Sequence, residues 1–218
     1  MFKAAKPTEN DRVTLEFREE WFSQSKGRWI YKNPSKPHFG ADRSPYPGSK
    51  GAPIFAPFDG VIQNKTYSNA AVGYGNELTL EFTLPFQAVT RDVLNSRVLL
   101  PVNKPLTARF AHCDSMSVQA GESVKAGQQI ATIGDTGFAV GAHLHWEIIS
   151  NTIHVDPEMV LKQALEYAAK EAEKLEPVRF VRLYQDSKEV VSIPVPEGKK
   201  IIMQAGANGT LFVDVRKD

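Results

Sequence analysis

Short runs of alternating apolar and polar residues, each cut off by Gly or Pro, constrain this chain more than any other feature. Leu78, Leu80 and Phe82 alternate with Glu77, Thr79 and Glu81. Successive side chains of a strand point to opposite faces, so such a run offers one face to a core and one to water. Residues 12 to 18 alternate in the same way, and residues 106 to 111 and 143 to 149 are further strand candidates. Residues 53 to 62 read as strand, turn and strand, because Asp59 followed by Gly60 supplies the positive φ of a tight hairpin. Residues 124 to 134 read as two short strands hinged at glycine. The prediction is a mainly β chain built on antiparallel pairing.

One helix interrupts this pattern. Asp156 followed by Pro157 predicts an N-cap and first helical residue, and Ala-, Leu- and Glu-rich sequence continues to about Leu175. Leu161, Leu165, Ala168 and Ala172 lie along one stripe, and Pro177 ends the run. Residues 178 to 184, 189 to 193, 199 to 205 and 210 to 215 then read as four short strands, a small β appendage.

A chain of 218 residues with 42% hydrophobic content can bury a core as one main domain with that appendage. A net charge of +1 gives no electrostatic footprint for nucleic acid, and none is expected as a partner. No apolar run approaches the roughly 18 residues of a membrane span. The first dozen residues lack the apolar core of a signal peptide. Export by the general secretory route is therefore not expected, unless a leader has been removed. The single cysteine, Cys113, excludes an internal disulfide and reads as a buried, inert thiol.

The chemistry lies in the histidines. His38 has Asp42 four residues on, His112 stands alone, and His143 and His145 close a Gly-rich run; His154 reads as a loop histidine outside the group. His143 and His145 are two apart on one strand face, and Glu147 follows on it. A lone His-x-His or a lone His/Asp pair is equally a surface feature. Together they supply two imidazoles and a carboxylate for a catalytic zinc with an open position, and further imidazoles to move protons. There is no His-Glu-x-x-His helix, so the glutamate base of that protease class is absent.

His38 through Asp42, residues 51 to 61, Gly75 through Leu78, Ala111 and His112, residues 121 to 137, Gly141 through Glu147 and Val155 through Pro157 occur in a telling order. Over roughly residues 36 to 160 the chain resembles the lysostaphin-like, LytM-type zinc metallopeptidases, which cut peptide bonds in bacterial peptidoglycan. The resemblance implies the family's antiparallel LytM-type (duplicated hybrid motif) domain with a groove. It implies Zn2+ held by His38, Asp42 and His145, with His112 and His143 beside the metal.

On that reading His143 is the general base, and His112 orients the water, stabilises developing charge or protonates the leaving amine. Glu147 accepts a ring N–H from a neighbouring imidazole or is simply solvated. Trp29 and Tyr31 are the aromatic contact candidates; Trp21 and Trp146 read as core. Residues 83 to 105 exceed the family's usual spacing and are expected to form a groove wall.

The expected organisation is a strand and loop over 1–33 packing on the catalytic domain, the LytM-type domain over 34–156, a helix over 157–176 and the appendage over 177–218. The expected activity is zinc-dependent cleavage of peptidoglycan cross-links or stem peptides. With no leader, the expected setting is a bacteriophage virion or lysis system, the appendage meeting tail or other virion proteins; a secreted bacterial enzyme is the alternative. Two other classes are compatible with parts of the chain. One is an inactive LytM-like module that activates wall enzymes or serves tail assembly. The other is a biotinyl or lipoyl carrier, suggested by Gly121, Val124 and Gly127 but lacking an acceptor-lysine turn.

Overall fold

The computed structural model describes residues 1–9, 12–24, 27–33, 35–45, 50–68, 71–173, 179–185, 188–195, 199–205 and 211–217. The chain divides into two compact units, Met1–Ala168 and Ala169–Asp218. The first holds β1 (Val13–Leu15), β2 (Trp21–Ser23), β3 (Arg28–Tyr31), β4 (Ala41–Arg43), β5 (Pro53–Phe55), β6 (Gly60–Thr66) and β7 (Glu77–Phe82). It continues with β8 (Ala88–Arg91), β9 (Arg97–Leu100), β10 (Leu106–Ala111), β11 (Cys113–Met116), β12 (Ser123–Val124), β13 (Gln129–Ile133), β14 (Leu144–Ser150) and β15 (Ile153–Val155). The helix α1 (Pro157–Glu173) follows.

The main sheet runs β1-β4-β14-β10-β7-β6-β12, with β15 on β14. A second sheet runs β11-β13-β5, and β2-β3 and β8-β9 are separate hairpins. The pairings are antiparallel, as the alternating pattern predicts.

Leu78, Leu80 and Phe82 of β7 and Ala108 and Phe110 of β10 share the core with Leu144, Trp146 and Ile148 of β14. Strand β14 buries both faces, as its neighbour β4 does: His145 and Glu147, which alternate with its core residues, are covered as well. A strand that buries imidazole and carboxylate must find partners for them, because unpaired burial of such groups is costly.

Three local expectations are corrected. β5 and β6 are not a hairpin, because β5 pairs β13 while β6 pairs β7 and β12. Gly60 is required by close approach instead: a Cβ there would lie 2.2 Å from the Glu81 carbonyl oxygen. Asp59 accepts from the Ala126 N–H at 2.9 Å and from Lys125 Nζ at 3.0 Å, which ties it to the turn after β12.

The insertion at 83–105 lines neither of the two cavities beside the histidines. Leu84, Ala88 and Leu100 join the core, and the β8-β9 hairpin is bonded to the start of α1. Asp156 N–H donates to the Arg91 carbonyl at 3.0 Å, Thr90 Oγ1 donates to the Asp156 carbonyl at 3.1 Å, and Gln163 bonds both backbone groups of Val89.

Asp156 caps α1 as expected, its Oδ1 accepting from the N–H groups of Glu158 at 3.0 Å and Met159 at 3.1 Å. The docking stripe is rotated from the expected one: Val160, Leu161 and Ala164 are buried, Leu165 is partly so, and Ala172 is exposed. Glu158 accepts from Trp146 Nε1 at 2.9 Å and Arg43 Nε at 2.8 Å, which ties the helix start to β14 and β4. Cys113 is fully buried, and burial followed by the Glu77 charge pushes its thiol up to about 12, an inert group as read from its setting.

In the second unit β16 (Arg179–Gln185) pairs β17 (Lys188–Val195), and β18 (Lys199–Ala205) pairs β19 (Leu211–Lys217). These are the four expected strands. Leu175 and Pro177 lie outside the described residues. Among the described residues no helix is long and apolar enough to cross a membrane.

Candidate metal centre

Strand register builds the site. Asp42 on β4 stands opposite His145 on β14, which stands opposite Ala111 on β10, so His112 follows at the same level. His143 lies two residues before His145 and bridges Gly134. His38 arrives from the segment before β4, pressed onto β14. A Cβ on Gly40 would sit 2.3 Å from the Trp146 carbonyl oxygen and 3.0 Å from His145 Cε1, so only glycine lets this segment so close.

His38 Nε2, His145 Nδ1 and Asp42 Oδ1 form a buried triangle. The separations are 3.1 Å between the two ring nitrogens, 3.1 Å from His38 Nε2 to the carboxylate and 2.8 Å from His145 Nδ1 to it. The far nitrogens fix the tautomers. His38 Nδ1 lies 2.7 Å from the Glu16 carbonyl, which can only accept, and His145 Nε2 lies 3.0 Å from the Glu147 carboxylate. Each far nitrogen therefore carries a proton, and neutral rings turn lone pairs toward Asp42. Three acceptors converge with at most one proton among them. Tetrahedral ligands at zinc distances of about 2.0–2.1 Å stand about 3.3 Å apart, close to this triangle. The donor set fits zinc in chemistry and spacing.

Burial alone would raise the Asp42 carboxyl, but His145 and His38 hold it well below the usual carboxylate range. Burial also opposes charge on His145, yet Asp42 and Glu147 outweigh it and raise the ring to about 9. In the absence of metal His145 thus keeps the one proton of the triangle at neutral pH.

His112 and His143 stand beside the triangle, their rings 4.8 Å apart. His112 Nδ1 donates to the Thr136 carbonyl at 2.7 Å and His143 Nδ1 to the Gly141 carbonyl at 2.9 Å. Each neutral ring leaves Nε2 as its acceptor, and that of His143 lies 3.6 Å from Asp42 Oδ2. His112 has φ of 59°, a left-handed conformation that costs free energy outside glycine and clusters at functional sites. Burial and the neighbouring histidines lower it to about 4, so it is neutral at pH 7.

Glu147 is fully buried and surrounded by donors. Oε1 accepts from His145 and from the Tyr74 hydroxyl at 2.7 Å, and Oε2 accepts from Arg109 Nη1 at 2.9 Å. Burial opposes its charge, but His145 first, then His154 and the Tyr74 hydroxyl, hold it well below the usual range. It is not a solvated strand residue. His154 lies on β15, not in a loop, and its Nδ1 is 3.3 Å from Glu147 Oε2, too poorly aligned for a hydrogen bond.

Two cavities flank the centre and share Tyr31 and Phe138. The smaller, about 190 Å³, adds Phe39, Tyr74, His112 and His145 to its lining. The larger, about 410 Å³, adds Glu19, Glu20, Trp21 and His143. Tyr31 is thus on the groove, as expected, and packs on the His38 ring at 4.5 Å. Burial, then Asp42 and Glu147, keeps its phenol protonated well above the usual range. Trp21 lines a cavity instead of filling the core, Trp146 is core, and the Trp29 side chain lies outside the described residues.

Sequence reasoning missed Tyr74, Arg109 and Phe138. Arg109 was discoverable as a charged residue on a strand whose neighbour carries Glu147. Tyr74 was discoverable as the side chain between two glycines at the head of β7.

Comparison with known proteins fits this geometry. Residues 36–157 match the profile of Peptidase family M23, more than half of the chain. The peptidoglycan DD-endopeptidase ShyC of Vibrio cholerae is 31% identical over 139 residues, 63% of this chain and 26% of that protein. The murein hydrolase activator NlpD of Escherichia coli K12 is 34% identical over 117 residues, 53% of this chain and 24% of that protein. The chain thus spans about a quarter of the length of these two relatives. Among solved structures, a chain of the SpoIIQ–SpoIIIAH pore-forming complex shares the fold with a TM-score of 0.53 at 18% identity, over 80% of this chain and 98% of that one. With a mainly antiparallel β fold, one helix after it among the described residues and a family match that encloses His38, Asp42, His112, His143 and His145, the chain belongs to peptidase family M23.

Proposed function

We propose that this chain is a zinc-dependent endopeptidase that hydrolyses peptide bonds in bacterial peptidoglycan, with His38, Asp42 and His145 as the metal ligands. The observation that carries the reading is the triangle of three acceptors sharing at most one proton. Such a group is repulsive unless a proton or a cation occupies it. The name of the relative ShyC supports the substrate class. A bound zinc supplies Lewis acidity toward water and the scissile carbonyl.

The chain's own residues do the rest. His143 Nε2, an acceptor on the groove side, takes the proton of the attacking water. His112 stays neutral and orients the same water through Nε2. Glu147 holds the His145 ring by its Nε2–H. The catalytic domain is assigned to residues 34–156, with 1–33 contributing the Glu16 carbonyl and Tyr31 to its centre.

The test is to incubate cross-linked wall fragments with the zinc-loaded chain, with and without chelator, and identify products by mass spectrometry. New amino termini that vanish with chelator and in His143→Ala support the reading. No cleavage, together with stimulation of a separate wall hydrolase, supports instead the role in the name of NlpD.

A further inference from the structure

Tyr74 touches both halves of the centre. Its carbonyl oxygen accepts the backbone N–H of His112 at 2.9 Å, and its hydroxyl donates to Glu147 Oε1 at 2.7 Å. The same Oε1 accepts His145 Nε2 at 3.0 Å. The opposite oxygen is drawn by Arg109 Nη1, 2.9 Å away, and the Arg109 guanidinium lies over the Tyr74 ring at 4.5 Å. Arg109 Nε is also 3.2 Å from Glu77 Oε2, without hydrogen-bond alignment. The loop carrying Tyr74 is itself anchored, since Gly73 accepts from the Phe138 N–H at 2.8 Å.

The orientation of Glu147 is therefore a balance between donors on its two oxygens. Without the Tyr74 hydroxyl, Oε1 keeps only His145, and the carboxylate is free to turn toward Arg109. The His145 ring then loses the bond that fixes both its tautomer and its rotamer. We propose that Tyr74 is a positioning residue of the metal centre: its hydroxyl sets Glu147 so that His145 presents Nδ1 to His38 and Asp42, while its carbonyl keeps His112 alongside. The proposal rests on the reading of His38, Asp42 and His145 as metal ligands.

Tyr74→Phe in the full chain tests it, because the ring, the cation-π contact and the backbone carbonyl all remain. Zinc affinity is measured by competition with a chromophoric chelator. The expected loss is about tenfold, within the roughly 10–100-fold range for removing a partner of a metal-bound histidine. In a Glu147→Ala background, where the acceptor for the hydroxyl is gone, Tyr74→Phe adds no further loss. A merely structural role lowers the melting temperature of the metal-free protein and leaves zinc affinity unchanged, and that result overturns the proposal. Additive losses in the double variant overturn it as well, since Tyr74 would then not act through Glu147. If the unaltered chain takes up no zinc, or Asp42→Ala binds it as tightly, the ligand reading itself fails before Tyr74 is reached.

Discussion

His38 Nε2 and His145 Nδ1 face each other at 3.1 Å, although the far nitrogen of each ring already donates to an acceptor elsewhere. A shared proton or a cation must therefore lie between these nitrogens and the Asp42 carboxylate, which makes the triangle a cation site. Equilibrium dialysis is expected to find one zinc per chain. Asp42→Ala is expected to weaken binding by more than about 100-fold, beyond the cost of losing an outer partner. Full uptake by that variant would contradict the assignment.

Proton competition gives the centre a pH signature. His145 is raised to about 9 in the metal-free protein, so its proton stabilises that fold fully below the unfolded pKa of about 6.5, and the contribution is lost as pH rises through 9. Zinc must displace this proton, so its apparent affinity rises with pH, by up to about tenfold per unit, and levels off above 9. Melting curves should therefore show the metal-free protein losing stability between pH 6.5 and 9 relative to the zinc-loaded one. Parallel profiles would count against this origin of the proton.

His112 and His143 are separable from metal binding. Their Nδ1 atoms are tied to the carbonyls of Thr136 and Gly141, and neither belongs to the triangle. His112→Ala and His143→Ala should each lower turnover by about 10²–10⁴-fold while retaining one zinc. Metal analysis alongside kinetics decides it: variants that lose zinc together with activity would move that histidine into the ligand set.

Gly40 is the tightest point between the His38 segment and β14. In Gly40→Ala the new Cβ meets the Trp146 carbonyl at 2.3 Å, and the segment must lift. The expected cost is about 1–3 kcal/mol in urea unfolding, the usual range for overpacking, with weakened zinc binding because His38 moves with the segment. Unchanged stability and affinity would show that the contact relaxes freely.

Much of this architecture was legible in the residues because strand alternation is a local property. Residues 77 to 82 and 106 to 111 fall on β7 and β10 with the expected faces inward, and Asp156 caps α1. What failed was partner choice. Asp59 and Gly60 have hairpin composition, yet β5 and β6 belong to different sheets, because the pairing of β7 with β6 makes glycine necessary there for a different reason. The 83–105 insertion buries against the start of α1, which no spacing in the sequence announces.

The histidines stood out by residue type and order, but their convergence depends on the register of β4, β14 and β10. Arg109 and Tyr74 were visible in the sequence only as residue types in suggestive places; the pairing of β10 with β14 brings Arg109 to Glu147, and the turn before β7 brings Tyr74 there.

The most direct measurement is a zinc titration of metal-free protein followed by release of new amino termini from purified peptidoglycan. The three-acceptor centre predicts activity that rises in proportion to added zinc, reaches its plateau at one equivalent, and is absent in Asp42→Ala. Release of the same termini by fully chelated protein, or none at one bound equivalent, would contradict it.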